Sequence, residues 1–147
     1  MARLTVGTIA PEAYQAVNGM ESYSRRHNDP VLYELIKLRA SMINGCAFCV
    51  DMHSRDALTA GEDSRRLFGL AAWHDAPFYT ERERAALAFT EAVTLVASTR
   101  VPAEEYDAVA AYWSPDEVGA LLSLIVTINA WNALAVATRA WEPVLGG

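Results

Sequence analysis

The chain has 147 residues, enough for one domain of ordinary size and too few for two. Hydrophobic residues make up 52% and charged residues 20%, so the chain can bury a core and is not a disordered polymer; 8 Gly and 6 Pro exclude collagen-like and linker sequences. The net charge is −6, and 11 Arg with a single Lys form no dense basic cluster, which argues against nucleic acid and against an anionic membrane surface as partners. Two Cys are too few for a disulfide-scaffolded secreted domain, and the opening MARLTVGTIAPEAYQAV lacks the apolar run of a signal peptide, so a cytoplasmic protein is expected.

Nearly every local signal is helical. Pro11 to His27 reads as a first helix, interrupted at Asn18-Gly19. Asp29-Pro30 is an N-cap followed by Pro at the first helical position, and Val31, Leu35, Leu38 and Met42 then form one apolar stripe that Asn44-Gly45 stops. The next helix is predicted from Cys46 to Ala60, ended by a left-handed Gly61. A shorter helix covers about Asp63 to Trp73, and Pro77 breaks the chain. Thr80 and Glu83 make a capping box that opens a helix with Ala85, Phe89, Ala92 and Val96 on its apolar face. Pro102 starts another, ending near Trp113. A second capping box, Ser114-Pro115-Asp116-Glu117, launches a long apolar helix to about Ala140.

No run alternates with β-branched residues, and no repeat or linker is visible. The expectation is an all-α fold of six or seven helices in a single domain, residues 1–147. The uncharged stretch Val118–Thr138 is long enough to span a bilayer, but its Ser, Thr and Asn residues favour a helix buried on all sides by its own protein or a sister subunit. That surplus of apolar surface points to a homo-oligomer.

Both cysteines lie in one C-x-x-C, Cys46 and Cys49, in the first turn of a predicted helix. Residues three apart on a helix have Cα atoms roughly 5–6 Å apart, inside the disulfide window of about 4.4–6.8 Å. The helix N-terminus stabilises a thiolate, and the thiolate is the nucleophile. His53 lies one turn beyond Cys49 on the same stripe, within reach for proton exchange directly or through a water. Glu34, on the preceding helix, lies about 11 residues before the turn and His53 about eight after it, reaches that differ by only a few ångström at about 1.5 Å per residue, so Glu34 can face His53 across the helix pair and orient the imidazole or relay the proton. This set suits peroxide reduction. A thiolate attacks the O–O bond and becomes a sulfenic acid, the neighbouring thiol condenses with it to a disulfide, and an outside dithiol restores the pair.

The pattern E-x11-C-x2-C-x3-H closely resembles the carboxymuconolactone decarboxylase-like family, in its alkylhydroperoxidase (AhpD-like) branch. KLRASMINGCAFCVDMH looks like the family core, Ala60-Gly61 follows at the usual distance, and ERERAALAFTEAVT resembles the next family helix; the likeness spans roughly residues 30–139. The resemblance implies an all-helical fold, assembly as a homo-trimer or homo-hexamer, reduction of organic hydroperoxides, and electrons from a lipoyl-type or thioredoxin-type dithiol. It further implies Cys49 as the peroxide-attacking cysteine, Cys46 as the resolving one, Glu34 and His53 as the proton relay, and no metal or organic cofactor. Two positions depart from the pattern: Phe48 stands where the best-described peroxidase members have His, and Ala133 follows Trp131-Asn132 where many relatives have Arg. The decarboxylases that name the family lack the cysteine pair, which argues against their reaction here.

Blander readings compete for the same residues. Cys46, Cys49 and His53 with Glu34 or His27 can be written as a tetrahedral zinc site. The cysteines can also be inert core residues, or a redox switch without turnover. Phe48 and Met52 read as core packing more readily than as pocket walls. The four Trp (73, 113, 131, 141) read as core or subunit contacts, His27 and His74 as surface or turn residues, and Arg39 as structural or holding a carboxylate.

Overall fold

In the computed structural model, which describes residues 2–139 and 141, the chain is entirely helical among the described residues. Nine α-helices follow in order: α1 Val6–Ile9, α2 Pro11–His27, α3 Pro30–Asn44, α4 Ala47–Thr59, α5 Ser64–Gly69, α6 Glu81–Thr94, α7 Val96–Thr99, α8 Ala103–Ala110 and α9 Pro115–Thr138. A 3₁₀ turn, Leu70–Ala72, extends α5. The surplus over seven comes from the one-turn pieces α1 and α7, too short for any periodicity to register; the segment expected as a single helix to Trp73 is α5 followed by the 3₁₀ turn.

The helix boundaries follow from local chemistry. Asp29 accepts the backbone N–H groups of Val31 and Leu32 at 3.0 and 3.1 Å, with Pro30 at the first position of α3. Thr80–Glu83 and Ser114–Glu117 form the two expected capping boxes. Gly61, at φ +94, closes α4 with bonds from its own N–H to Leu58 and from the Glu62 N–H to Ala57. Asn18-Gly19 does not interrupt α2, which runs unbroken along α9; packing overrides the weak propensity of one Asn and one Gly.

Helix α3 is the hub. Leu32 through Leu38 are all buried, because α3 packs against α4, α6 and α9 at once. Its burial is therefore wider than the single stripe expected, while Val31, placed on that stripe, is exposed. Leu32, Ile36, Phe89, Leu121, Leu124 and Ile125 knit α3, α6 and α9 into one core, and Leu35, Leu38, Leu67, Leu70, Trp73 and Leu87 form a second beneath α5. Each buried Leu or Ile contributes on the order of 1.5–3 kcal/mol. Val96 lies beyond the end of α6 and is exposed, so it does not extend that helix's apolar face.

Helix α9 is long and apolar enough to cross a membrane by length and composition alone. It packs instead along α2, α3 and α6, held by Ser24 Oγ against Thr127 Oγ1 and by Asn28 Nδ2 donating to the Ala120 carbonyl. It is not covered on all sides within this chain: Leu122, Val126 and Val136 lie exposed along the far face.

Candidate active site

Cys46 stands where two helices meet. Gly45, at φ +65, turns the chain; the Gly45 and Cys46 N–H groups donate to the Met42 and Ser41 carbonyls and so close α3. The Cys46 sulfur then caps α4, accepting the Cys49 N–H at 3.4 Å. The two sulfurs lie 2.6 Å apart, both residues are free cysteines, and each is only 1% exposed. Ala40 and Ile128 close the packing around them, so α9 contributes a wall that the local motif does not contain.

Either thiol can donate across so short a contact, and the surroundings decide which keeps the proton. The hydrogen bond from Cys49 is the largest influence on Cys46; helped by the Cys49 and Phe48 N–H groups and the Asn132 amide, it overcomes burial and holds the Cys46 thiol at about 6. Cys49 is pushed up, first by its hydrogen bond to Cys46, then by burial and by the charge on Cys46; Asn132 and the Lys37 ammonium pull the other way. The negative charge of the reduced pair therefore rests on Cys46.

Glu34 and His53 meet as the helix hairpin requires. Glu34 Oε2 lies 2.9 Å from His53 Nδ1, and both residues are buried. This fixes the ring of His53, which lines a cleft. Cys49, His53 and Met52 from α4 line a cavity of about 630 Å³ with Phe48, Trp131, Leu134, Tyr14 and Trp141. Residues 5–8 and Thr138 also contribute to its wall, so both ends of the described chain border it. Cys49 lines this cavity and Cys46 does not. Phe48 and Met52, expected as core, are cavity walls, as are Trp131 and Trp141; Trp73 and Trp113 are buried core.

Several site residues escaped the sequence reading. Lys37, the only lysine of the chain, is 2% exposed one turn beyond Glu34. It donates to both carboxylate oxygens of Glu21 at 2.6 and 2.8 Å and to the Tyr33 hydroxyl at 2.9 Å. Burial lowers its pKa, opposed by Glu21. Trp131 Nε1 also donates to Glu21. A lone Lys within a buried stripe, and Asn132 within an uncharged stretch of α9, were the available signals, since buried polar groups need partners.

Asp56 joins Glu34 and His53: one ligand atom from each lies within 4.8 Å of the others, and this is the one such cluster among the described residues. It can hold a cation by donor type, as an oxygen- and imidazole-rich set. The sulfurs take no part in it, and neither does His27, which is exposed and stacked on Tyr23, so the zinc set conceivable from sequence is not assembled. His74 is exposed, stacks on Trp73 and bonds to Glu91, which also accepts from Arg39; Arg39 thus holds a carboxylate.

Residues 11–92 match the family model described as the carboxymuconolactone decarboxylase family. The uncharacterised protein YdfG of Bacillus subtilis (strain 168) is 40% identical over 136 residues, 92% of each chain. A crystal structure of the Agrobacterium tumefaciens protein ATU0492, of unknown function and named for the antioxidant defence protein AhpD, superposes with a TM-score of 0.93 at 38% identity, covering 98% of this chain and 99% of that one. The debrominase Bmp8 (TM-score 0.77, 22% identity, 91% of this chain and 73% of that one) shares the fold.

Proposed function

Because the chain belongs to the carboxymuconolactone decarboxylase family, in its AhpD-like branch, we propose that it reduces organic hydroperoxides to alcohols through a Cys46–Cys49 disulfide regenerated by an external dithiol. The observation that carries this reading is the pair of sulfurs 2.6 Å apart, one of them on a largely apolar cavity that it shares with the Glu34-bound imidazole of His53.

Cys49 attacks because it is the sulfur on the cavity. It first gives up its proton to His53, directly or by way of the Cys46 sulfur beside it. Its thiolate then takes the terminal oxygen of the hydroperoxide, the O–O bond breaks, and the alkoxide leaves with a proton from His53, whose positive charge Glu34 stabilises. Cys46 as thiolate next attacks the Cys49 sulfenic sulfur; the S–O bond breaks, the disulfide forms, and the hydroxide leaves as water with a proton that solvent resupplies to His53. A dithiol, lipoyl-type or thioredoxin-type, supplies the two electrons that reopen it. The cavity's apolar lining favours an organic over an inorganic peroxide, and no metal or organic cofactor enters any step. We further read the protein as cytoplasmic, free of nucleic-acid and membrane partners, and assembled as a homo-trimer or homo-hexamer through the exposed face of α9.

One equivalent of cumene hydroperoxide should consume two thiols per chain, and turnover with dihydrolipoamide, a thioredoxin-type donor or a small thiol should require Cys49. Thiols that survive the peroxide would overturn the reading. Thiols consumed without turnover by any of these donors would make the pair a redox switch.

A further inference from the structure

The cavity that Cys49 and His53 share holds about 630 Å³, the range of a drug-sized organic ligand and far more than a short alkyl hydroperoxide fills. Two aromatic pairs line it: Tyr14 against Trp131, with ring centroids 5.2 Å apart, and Phe48 against Trp141 at 5.9 Å. Those walls suit an apolar or aromatic body. The charged lining comes from three helices, with Glu21 and Arg25 on α2, Lys37 on α3 and Asp56 on α4. The Lys37–Glu21 pair is closed. The three ammonium hydrogens go to Glu21 Oε1, Glu21 Oε2 and the Tyr33 hydroxyl, so Lys37 has none left for a ligand. Arg25 is different. Its guanidinium reaches Glu21 only at 4.0 Å, beyond hydrogen-bond range, and it donates no hydrogen bond among the described residues. Its Cζ lies 4.7 Å from the centroid of the Tyr33 ring, which holds the guanidinium in place without using its N–H groups. Arg25 is thus a seated cation with its donor fork unspent, and that fork matches a carboxylate. Asp56, clustered with Glu34 and His53 within 4.8 Å, repels an anion from the α4 side and so gives such a ligand one orientation.

We propose that the cavity selects organic molecules that carry a carboxylate, which pairs with Arg25 while the apolar body lies along the aromatic walls. The hydroperoxide substrate is then an anionic one, its O–O group directed to Cys49 and His53 and its carboxylate to α2. The statement about the hydroperoxide rests on the peroxidase reading; the selection of a carboxylate does not. Arg25 is in this sense a specificity-determining residue: it fixes which molecule enters and which way round, and takes no part in the bond-breaking step.

The test is calorimetric binding of para-isopropylbenzoate and of its neutral amide, para-isopropylbenzamide, to the full-length protein at neutral pH. The benzoate should bind about fivefold tighter than the amide. Arg25→Gln should bring the two affinities together, and Arg25→Glu should put the amide ahead; the Arg25 side chain is 64% exposed, so neither substitution disturbs the core. Equal affinities in the native protein, a preference that survives both substitutions, or binding of neither ligand would overturn the proposal. The corresponding hydroperoxides, para-carboxycumene hydroperoxide and cumene hydroperoxide, should differ about fivefold in KM with little difference in kcat. A benzoate preference in a protein that turns over neither hydroperoxide would refute the peroxidase reading and leave the carboxylate site standing. Turnover of both at equal KM would leave the peroxidase reading standing and overturn this one.

Discussion

At the scale of single residues, the cysteine pair behaves as one titrating unit with its charge on the capping sulfur. Cys46 is held at about 6, well below the range of an unfolded thiol near 8.5, while Cys49 is pushed above it. The signs oppose. The Cys46 contribution to stability is fully present above about 8.5 and is lost as pH falls through about 6. The Cys49 contribution is present below about 8.5 and is lost as pH rises beyond it. Reduced protein should therefore gain thermal stability relative to oxidised protein from pH 6 to about 8.5 and lose it above, with thiolate absorbance at 240 nm rising through a midpoint near 6. A difference in melting temperature that is flat with pH would contradict the assignment. Glu34 makes its own prediction: Glu34→Gln keeps a hydrogen-bonding group beside His53 but removes the charge, and hydroperoxide turnover should fall about 100-fold with the melting temperature within a few degrees.

At the scale of elements, the site depends on a turn rather than on a long-range contact. Gly45 at φ +65 lets α3 end and α4 begin within two residues, and this brings Glu34 back over His53. No atom lies within 4 Å of a Cβ built at this position, so Gly45→Ala meets only the left-handed backbone penalty. Chemical denaturation should show a loss of about 1–2 kcal/mol; a neutral result would mean that the turn relaxes. The α3–α4 hairpin was legible beforehand because Asp29-Pro30, Asn44-Gly45 and Ala60-Gly61 are local signals whose effect does not need the rest of the fold. Val96 and Asn18-Gly19 were misread for the complementary reason: whether an apolar residue is covered, or a weak helix former tolerated, depends on what packs there.

At the scale of the whole molecule, α9 has two faces with different tasks. One closes the core and the sulfur site through Leu121, Leu124 and Ile128; the other leaves Leu122, Val126 and Val136 in solvent. Exposed apolar side chains at helical spacing are what a subunit contact buries. Sedimentation of the native protein should show a trimer or hexamer, and Val126→Glu should shift it toward smaller species with the thiolate midpoint unchanged. A monomeric native protein would remove the basis for that assembly.

The amino-acid order by itself determined the all-helical class, the capped starts of α3, α6 and α9, the approach of the two sulfurs and the pairing of Glu34 with His53, because each depends on spacing along one helix or across one tight turn. Only the tertiary structure decided that Cys49 rather than Cys46 lines the cavity, that Lys37 and Glu21 pair in its wall, and that Asn132 is buried between Asn44 and Ser41. Those facts depend on how α2 and α9 close over α3 and α4, where contacts between residues 88 or more apart choose which face is buried.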